Sequence, residues 1–319
     1  MASPAGSRIA PATDTDTDIG PRLAFTDVLS DDGTRLRVWT NDPDAHTEGD
    51  SDTDRLTVVL CNGLGTSPWA WPALLEPDCG VRVVSWNHRG TGGSERPADP
   101  DRVGIDEFVE DALSVMDHFG IDHAVLMGWS MGVNTMFELA SRHPERVRGL
   151  FAVAGVPGGT FATMLGPFRL PHVVAETIAV NTARLLHHGG RVLTPITRRV
   201  PVHPWTISAL TLTGFMFPVP DRELAAVAVW EFLQTPVDWY CHLALHTSRH
   251  ARVRLSQITV PACFVAARWD ILSGARDMHT AAERMDDATY VELNGTHFVQ
   301  MEQPGRVHEL LLEFLDRVG

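Results

Sequence analysis

The sequence predicts an α/β fold, a mostly parallel, doubly wound sheet interrupted by a block of helices. Three observations carry that prediction. Short apolar runs at residues 56–60, 81–86, 124–129 and 150–154 alternate with helical stretches such as 105–119; strands apolar along their whole length and separated by helices belong to a parallel sheet covered on both faces. The alternation stops after residue 154 and resumes only at residue 258. Between the run 124–129 and a helical stretch at 133–143 lies Gly128-Trp129-Ser130-Met131-Gly132, a serine turn bracketed by glycines. Glycine lets a strand and a helix close on each other without a Cβ in the way.

Taken in order, residues 1–22 contain the polar repeat Thr13-Asp14-Thr15-Asp16-Thr17-Asp18, which can bury little apolar surface and is expected to be disordered. Residues 23–29 and 34–40 read as a hairpin joined by Asp31-Asp32-Gly33, and an acidic loop at 41–54 separates it from the parallel strands. The first part of the sheet is thus expected within 23–155, a helical block at 156–239 and the rest of the sheet within 240–319. In that last part, 258–266 and 288–293 read as strands. The helical block is rich in large apolar residues, among them Phe161, Met164, Trp205, Phe215, Met216 and Trp230. Such residues either line a pocket or form the block's own core. Residues 200–220 carry no formal charge, yet four prolines, four hydroxyl residues and Gly214 make a poor membrane span. A buried helix is expected there instead, with attachment at a lipid surface as the alternative.

Composition narrows the chemistry. The formal net charge of −14 argues against nucleic acid or an anionic membrane as a partner, and no stable membrane insertion is expected. All 26 basic residues are arginine, which excludes a Schiff-base lysine, a Ser-Lys dyad and a lysine-containing phosphate loop. Cys61, Cys79, Cys241 and Cys263 are too scattered for a metal site, and two of them fall in expected core strands. Buried thiols and the lack of an apolar run in the first residues point to a cytoplasmic location. His242, His246 and His250 recur every four residues on a helical stretch, but no carboxylate partner or second ligand segment is evident beside them. Neither a metal site nor a cofactor is therefore expected, and His187-His188 reads as a solvated pair.

A serine hydroxyl is a weak nucleophile at neutral pH and needs a histidine base, an acid to orient that base and donors for an oxyanion. Asp270 follows the apolar run 258–266, and His297 follows the run 288–293 in Asn294-Gly295-Thr296-His297-Phe298. The chain order is Ser130, Asp270, His297.

In that order, and in the strand-serine-helix arrangement, the chain resembles the α/β-hydrolase superfamily over residues 56–318. The similarity extends to Asn62-Gly63-Leu64-Gly65 and to Trp86-Asn87-His88-Arg89-Gly90-Thr91-Gly92-Gly93-Ser94, with Asn62 where the family often has histidine and Asn87 where it often has aspartate. The resemblance implies that Ser130 is the nucleophile, His297 the base and Asp270, rather than Asp238 or Asp277, the acid. It assigns the oxyanion donors to the amides of Met131 and Leu64; the Met131 amide also opens a helix and so faces the positive helix end. It further implies that the helical block is a cap, and Trp129, Phe215, Met216 and Phe298 are expected to contact substrate. The expected activity is hydrolysis of a carboxylic ester of apolar, moderate size through an acyl-enzyme. A lactone, thioester or carbon-carbon bond hydrolase, an acyltransferase and a slow-turnover ligand receptor on the same fold remain open. Relatives that open epoxides or remove halide use aspartate at the place of Ser130. The oligomeric state is not legible.

Overall fold

A computed structural model describes residues 23–42, 57–168, 170–251 and 253–319; the expected tail at 1–22 and most of the acidic loop lie outside them. Alternation along each strand explains how one sheet acquires two cores. In β3 (Thr57–Cys61), Val59 and Cys61 face one side and Val58 and Leu60 the other, each joining a separate apolar cluster. β4 (Arg82–Trp86), β5 (Ala124–Trp129), β6 (Val147–Val153), β7 (Ala262–Ala267) and β8 (Ala288–Leu293) repeat the pattern in parallel. The hairpin of β1 (Ala24–Leu29) and β2 (Arg35–Thr40) turns through Gly33 at φ 81° and adds the antiparallel edge.

The eight strands lie in the order β1-β2-β4-β3-β5-β6-β7-β8. Since β4 lies on one side of β3 and β5 on the other, the order reverses at β3, the kind of switch point beside whose strand carboxyl ends α/β sheets bind ligands. Helices α1 (Ile105–His118) and α2 (Gly132–Arg142) cover one face with α8 (Ala275–Ala282), and α10 (Pro304–Val318) covers the other. On α1, Ile105, Phe108, Val109, Ala112, Val115 and Met116 are buried at the three-and-four spacing of a single helical face.

Two expected strands shift. β6 begins at Val147, earlier than the run at 150–154 suggests, and β7 begins at Ala262, four residues later than 258. Pro261 has no N–H to give a ladder, and only its carbonyl takes part, accepting from the Leu150 amide at 2.9 Å.

Between β6 and β7 lie α3 (Thr160–Thr163), α4 (His172–Thr197), α5 (Pro204–Leu212), α6 (Arg222–Gln234) and α7 (Val237–Thr247). The expected boundary after residue 239 falls inside α7, whose buried Trp239, Leu243 and Thr247 continue one face across it. α7 packs on α4 so closely that a Cβ at Gly190 would lie 2.3 Å from the Asp238 amide nitrogen. The expectation of a buried helix within 200–220 is also corrected. On α5 only Ile207 is buried, and Trp205 and Leu212 are 65% and 89% exposed. Lack of charge does not make that segment apolar on all sides, because hydroxyls such as Thr211 Oγ1 bond back to the helix carbonyls. Among the described residues, no helix is long and apolar enough to cross a membrane.

Candidate active site

The turn after β5 holds Ser130 at φ 55°, in the left-handed region that a non-glycine residue enters only under constraint. The flanking glycines are dictated by space. A Cβ at Gly128 would lie 2.9 Å from Val133 Cα, and one at Gly132 would lie 1.8 Å from the Cys61 carbonyl oxygen. The start of α2 is thereby pressed against the end of β3, which brings the 62–65 loop beside the serine.

Asp270 follows β7 and His297 follows β8, so the parallel register β5-β6-β7-β8 delivers all three side chains to the same sheet edge. Ser130 Oγ lies 2.8 Å from His297 Nε2, and His297 Nδ1 lies 2.8 Å from Asp270 Oδ2. Asp270 is 1% exposed, and its other oxygen accepts from the amides of Leu272 and Ser273 at 2.7 and 2.8 Å. Those two donors fix the carboxylate, which in turn fixes Nδ1 as the protonated nitrogen and leaves Nε2 free to accept the serine proton. The rival acids lie elsewhere: Asp277 pairs with His172 at 3.2 Å, and Asp238 sits where α7 meets α4.

Met131 caps the N-terminus of α2, so its amide is among those a helix leaves without an internal partner. Leu64 is buried in the same apolar cluster as Met131, Phe161, Trp239 and Leu243. Asn62, at the position the resemblance marks as histidine, accepts from Trp71 Nε1 and from the Gly63 amide, both at 3.0 Å, and so braces that loop.

The expected substrate contacts divide. Trp129 is 3% exposed and donates from Nε1 to the His297 carbonyl at 3.0 Å, which makes it a support for the histidine loop. Met216 is 1% exposed and packs in the same cluster as Trp129, Ile207 and Val219. Phe215 is 39% exposed, and its ring lies 5.2 Å from that of Phe298, which also packs on His297 at 5.7 Å.

Sequence reasoning missed Glu302. This buried carboxylate accepts from the Thr296 amide and hydroxyl at 2.8 and 2.5 Å and from the Phe217 amide at 2.7 Å. It ties the loop holding His297 to the insertion, and nothing in its helical surroundings signals that role. Arg89 was legible only as part of a turn. Its guanidinium is fully buried and pairs with Asp111 at 2.7 Å and Asp32 at 2.5 Å. The Arg89 carbonyl receives the Trp239 indole N–H at 2.9 Å, so this turn also seats α7. A further correction concerns the histidines of α7, because the structure places the Asp101 carboxylate against His242 and His246 at 3.7 and 3.5 Å. His250 instead faces Glu138 at 3.3 Å.

Comparison with known proteins bears on the fold. Residues 57–184 match the family model described as alpha/beta hydrolase fold. A segment 36% identical over 102 residues aligns with a protein of Caulobacter segnis named as a carbamate hydrolase, RutD, spanning 32% of this chain and 38% of that protein's length. Longer alignments reach 3-oxoadipate enol-lactonase 2 of Acinetobacter baylyi, 26% identical over 79% of this chain and 85% of that one, and epoxide hydrolase A of Mycobacterium tuberculosis, 25% identical over 81% and 89%. Among solved structures, the enol-lactonase of Burkholderia xenovorans superposes with a TM-score of 0.66 at 22% identity, covering 91% of this chain and 100% of that one, a likeness of fold. The eight-stranded sheet, the serine turn and these similarities give the chain the α/β-hydrolase fold.

Proposed function

We propose that this protein is a serine hydrolase that cleaves a carboxylic ester of apolar character through an acyl-enzyme. The observation that carries the reading is the unbroken chain from Ser130 Oγ through His297 to Asp270, each link 2.8 Å. His297 Nε2 takes the serine proton as Oγ attacks the carbonyl carbon, and the resulting oxyanion is met by the Met131 and Leu64 amides. Collapse of the intermediate expels the alcohol, which receives the proton from His297; water activated by the same imidazole then frees the acid. Asp270 keeps Nδ1 protonated and stabilises the imidazolium. The insertion acts as a cap, and Leu64 and Phe161, which share an apolar cluster with Met131 next to the serine in the chain, favour an apolar substrate.

A lactone, an internal ester, is the second reading, favoured by the similarity to an enol-lactonase over most of the chain. The similarity to an epoxide hydrolase does not transfer its chemistry. Attack of a serine on an epoxide would leave an ether, which water and a histidine cannot hydrolyse, whereas an acyl ester is cleaved by the same groups that made it.

A fluorophosphonate probe should add its mass to Ser130, and p-nitrophenyl esters and lactones should be turned over. Ser130→Ala should abolish the adduct and lower kcat by about a millionfold. An unchanged labelling rate in the variant, with the fold intact by circular dichroism, would refute the assignment.

A further inference from the structure

We propose that Asp101, His242 and His246 form a binding site for a divalent transition-metal ion of the zinc type, which ties helix α7 of the insertion to the loop preceding α1. His242 and His246 are one turn apart on α7, where residues four apart share a face. Their rings lie 4.4 Å apart, and one Asp101 oxygen lies 3.7 Å from His242 Nε2 and 3.5 Å from His246 Nε2. The candidate ligand atoms all fall within 4.8 Å of one another.

Those separations are long for hydrogen bonds, which run about 2.7–3.2 Å between nitrogen and oxygen. They are close to what a shared ion requires. Bonds of about 2.0–2.1 Å from zinc to imidazole nitrogen and carboxylate oxygen, at tetrahedral angles, set neighbouring ligand atoms about 3.3–3.4 Å apart. The two carboxylate–imidazole separations need shorten by only a few tenths of an ångström, which Asp101, exposed on a loop, is free to do, while the two imidazole nitrogens close up from within 4.8 Å by rotation of their rings. Water supplies the fourth ligand, since His246 borders an open cleft of about 470 Å³ that also holds Arg249 and His250.

The surroundings fit a cation. Burial, then His242 and Arg249, lower the His246 pKa, and the carboxylates of Asp101 and Glu107 act against them. His242 is held in place by stacking on Trp239 at 5.1 Å and on His187 at 5.9 Å. One feature opposes binding: His242 Nε2 donates to the Pro100 carbonyl at 2.7 Å. An ion must displace that proton and bond, which selects a metal with strong affinity for imidazole over magnesium or calcium.

The position gives the ion a structural consequence. Asp101 belongs to the segment leading into α1, and α7 packs against α4 of the insertion and hydrogen-bonds to the Arg89 carbonyl through Trp239. Bound zinc therefore joins the insertion to the sheet domain within about two turns of α7 from the indole contact.

The test uses the full chain, freed of metal with a chelator and titrated with zinc chloride in a calorimeter, with magnesium chloride as the control. One equivalent of zinc should bind with a rise in Tm, and magnesium should produce neither effect. Asp101→Asn and His246→Ala should each weaken zinc binding at least tenfold, because loss of a ligand costs no less than the 10–100-fold typical of an outer-shell partner. His188→Ala, on the far side of α4's histidine pair, should leave it unchanged. Asp101 is exposed, so its variant should fold even if His246→Ala does not. The proposal is overturned if the folded wild type takes up no zinc, or if Asp101→Asn binds it as tightly as the wild type.

Discussion

At the residue scale the site depends on orientation more than on proximity. Ser130 is held at φ 55° because β5 and α2 are clamped together through Gly128 and Gly132, and the strain aims its hydroxyl at His297. Asp270 does for the imidazole what the backbone does for the serine. Its Oδ1 is anchored by two amides, so Oδ2 can only accept from Nδ1. Asp270→Asn keeps the shape but can present an N–H to Nδ1, which then carries the lone pair while Nε2 carries the proton. Ester turnover should fall about ten-thousandfold, with the unfolding midpoint nearly unchanged. Steady-state kinetics and thermal melts on the same preparation check both halves of that expectation; near wild-type turnover would mean that the acid lies elsewhere.

At the scale of elements, the loop between β8 and α10 is coupled to the insertion through Glu302, in the short helix α9 (Val299–Glu302). Three donors converge on its carboxylate, two from Thr296 and one from Phe217, so every contact there requires an acceptor. Glu302→Gln turns one oxygen into an NH₂ group facing a donor. The cost should be about 1–3 kcal/mol in stability by chemical denaturation. Because His297 follows Thr296 directly, kcat should fall as well. Stability lost with kcat unchanged would show that the clamp serves only the fold.

Across the whole molecule, buried neutral histidines set the response to acid. His88 is enclosed against Phe108, with ring centroids 4.6 Å apart, and burial pushes its pKa down to about 4 from 6.5. The unfolded chain takes up a proton below pH 6.5 while the folded chain resists until about pH 4, so stability is full above 6.5 and is lost as pH falls through that window. The contribution amounts to about 3 kcal/mol. Burial lowers His246, His250 and His308 in the same sense, so their contributions add. Denaturation at pH 7 and pH 5 should show this loss, and His88→Gln should reduce the difference between the two pH values. An equal difference in the variant would remove His88 as a source.

The parallel core, the serine turn and the order of Ser130, Asp270 and His297 were legible along the chain, because these rest on local signals. β5 and β8 are continuous apolar or alternating runs that end at a punctuating turn, and their bounds match the reading residue for residue. β7 was misplaced at its start because apolarity at 258–261 reports burial, as at Ile258, and not pairing. Which apolar residues of the insertion are covered follows from packing between elements. Met216 and Leu212 look alike in sequence, yet one is 1% and the other 89% exposed, since burial depends on the neighbour each helix face finds. The same holds for Asp101 with His242 and for Glu302 with Phe217, pairs separated by 141 and 85 residues. No periodicity links such positions; the packing of α7 and of α9 does.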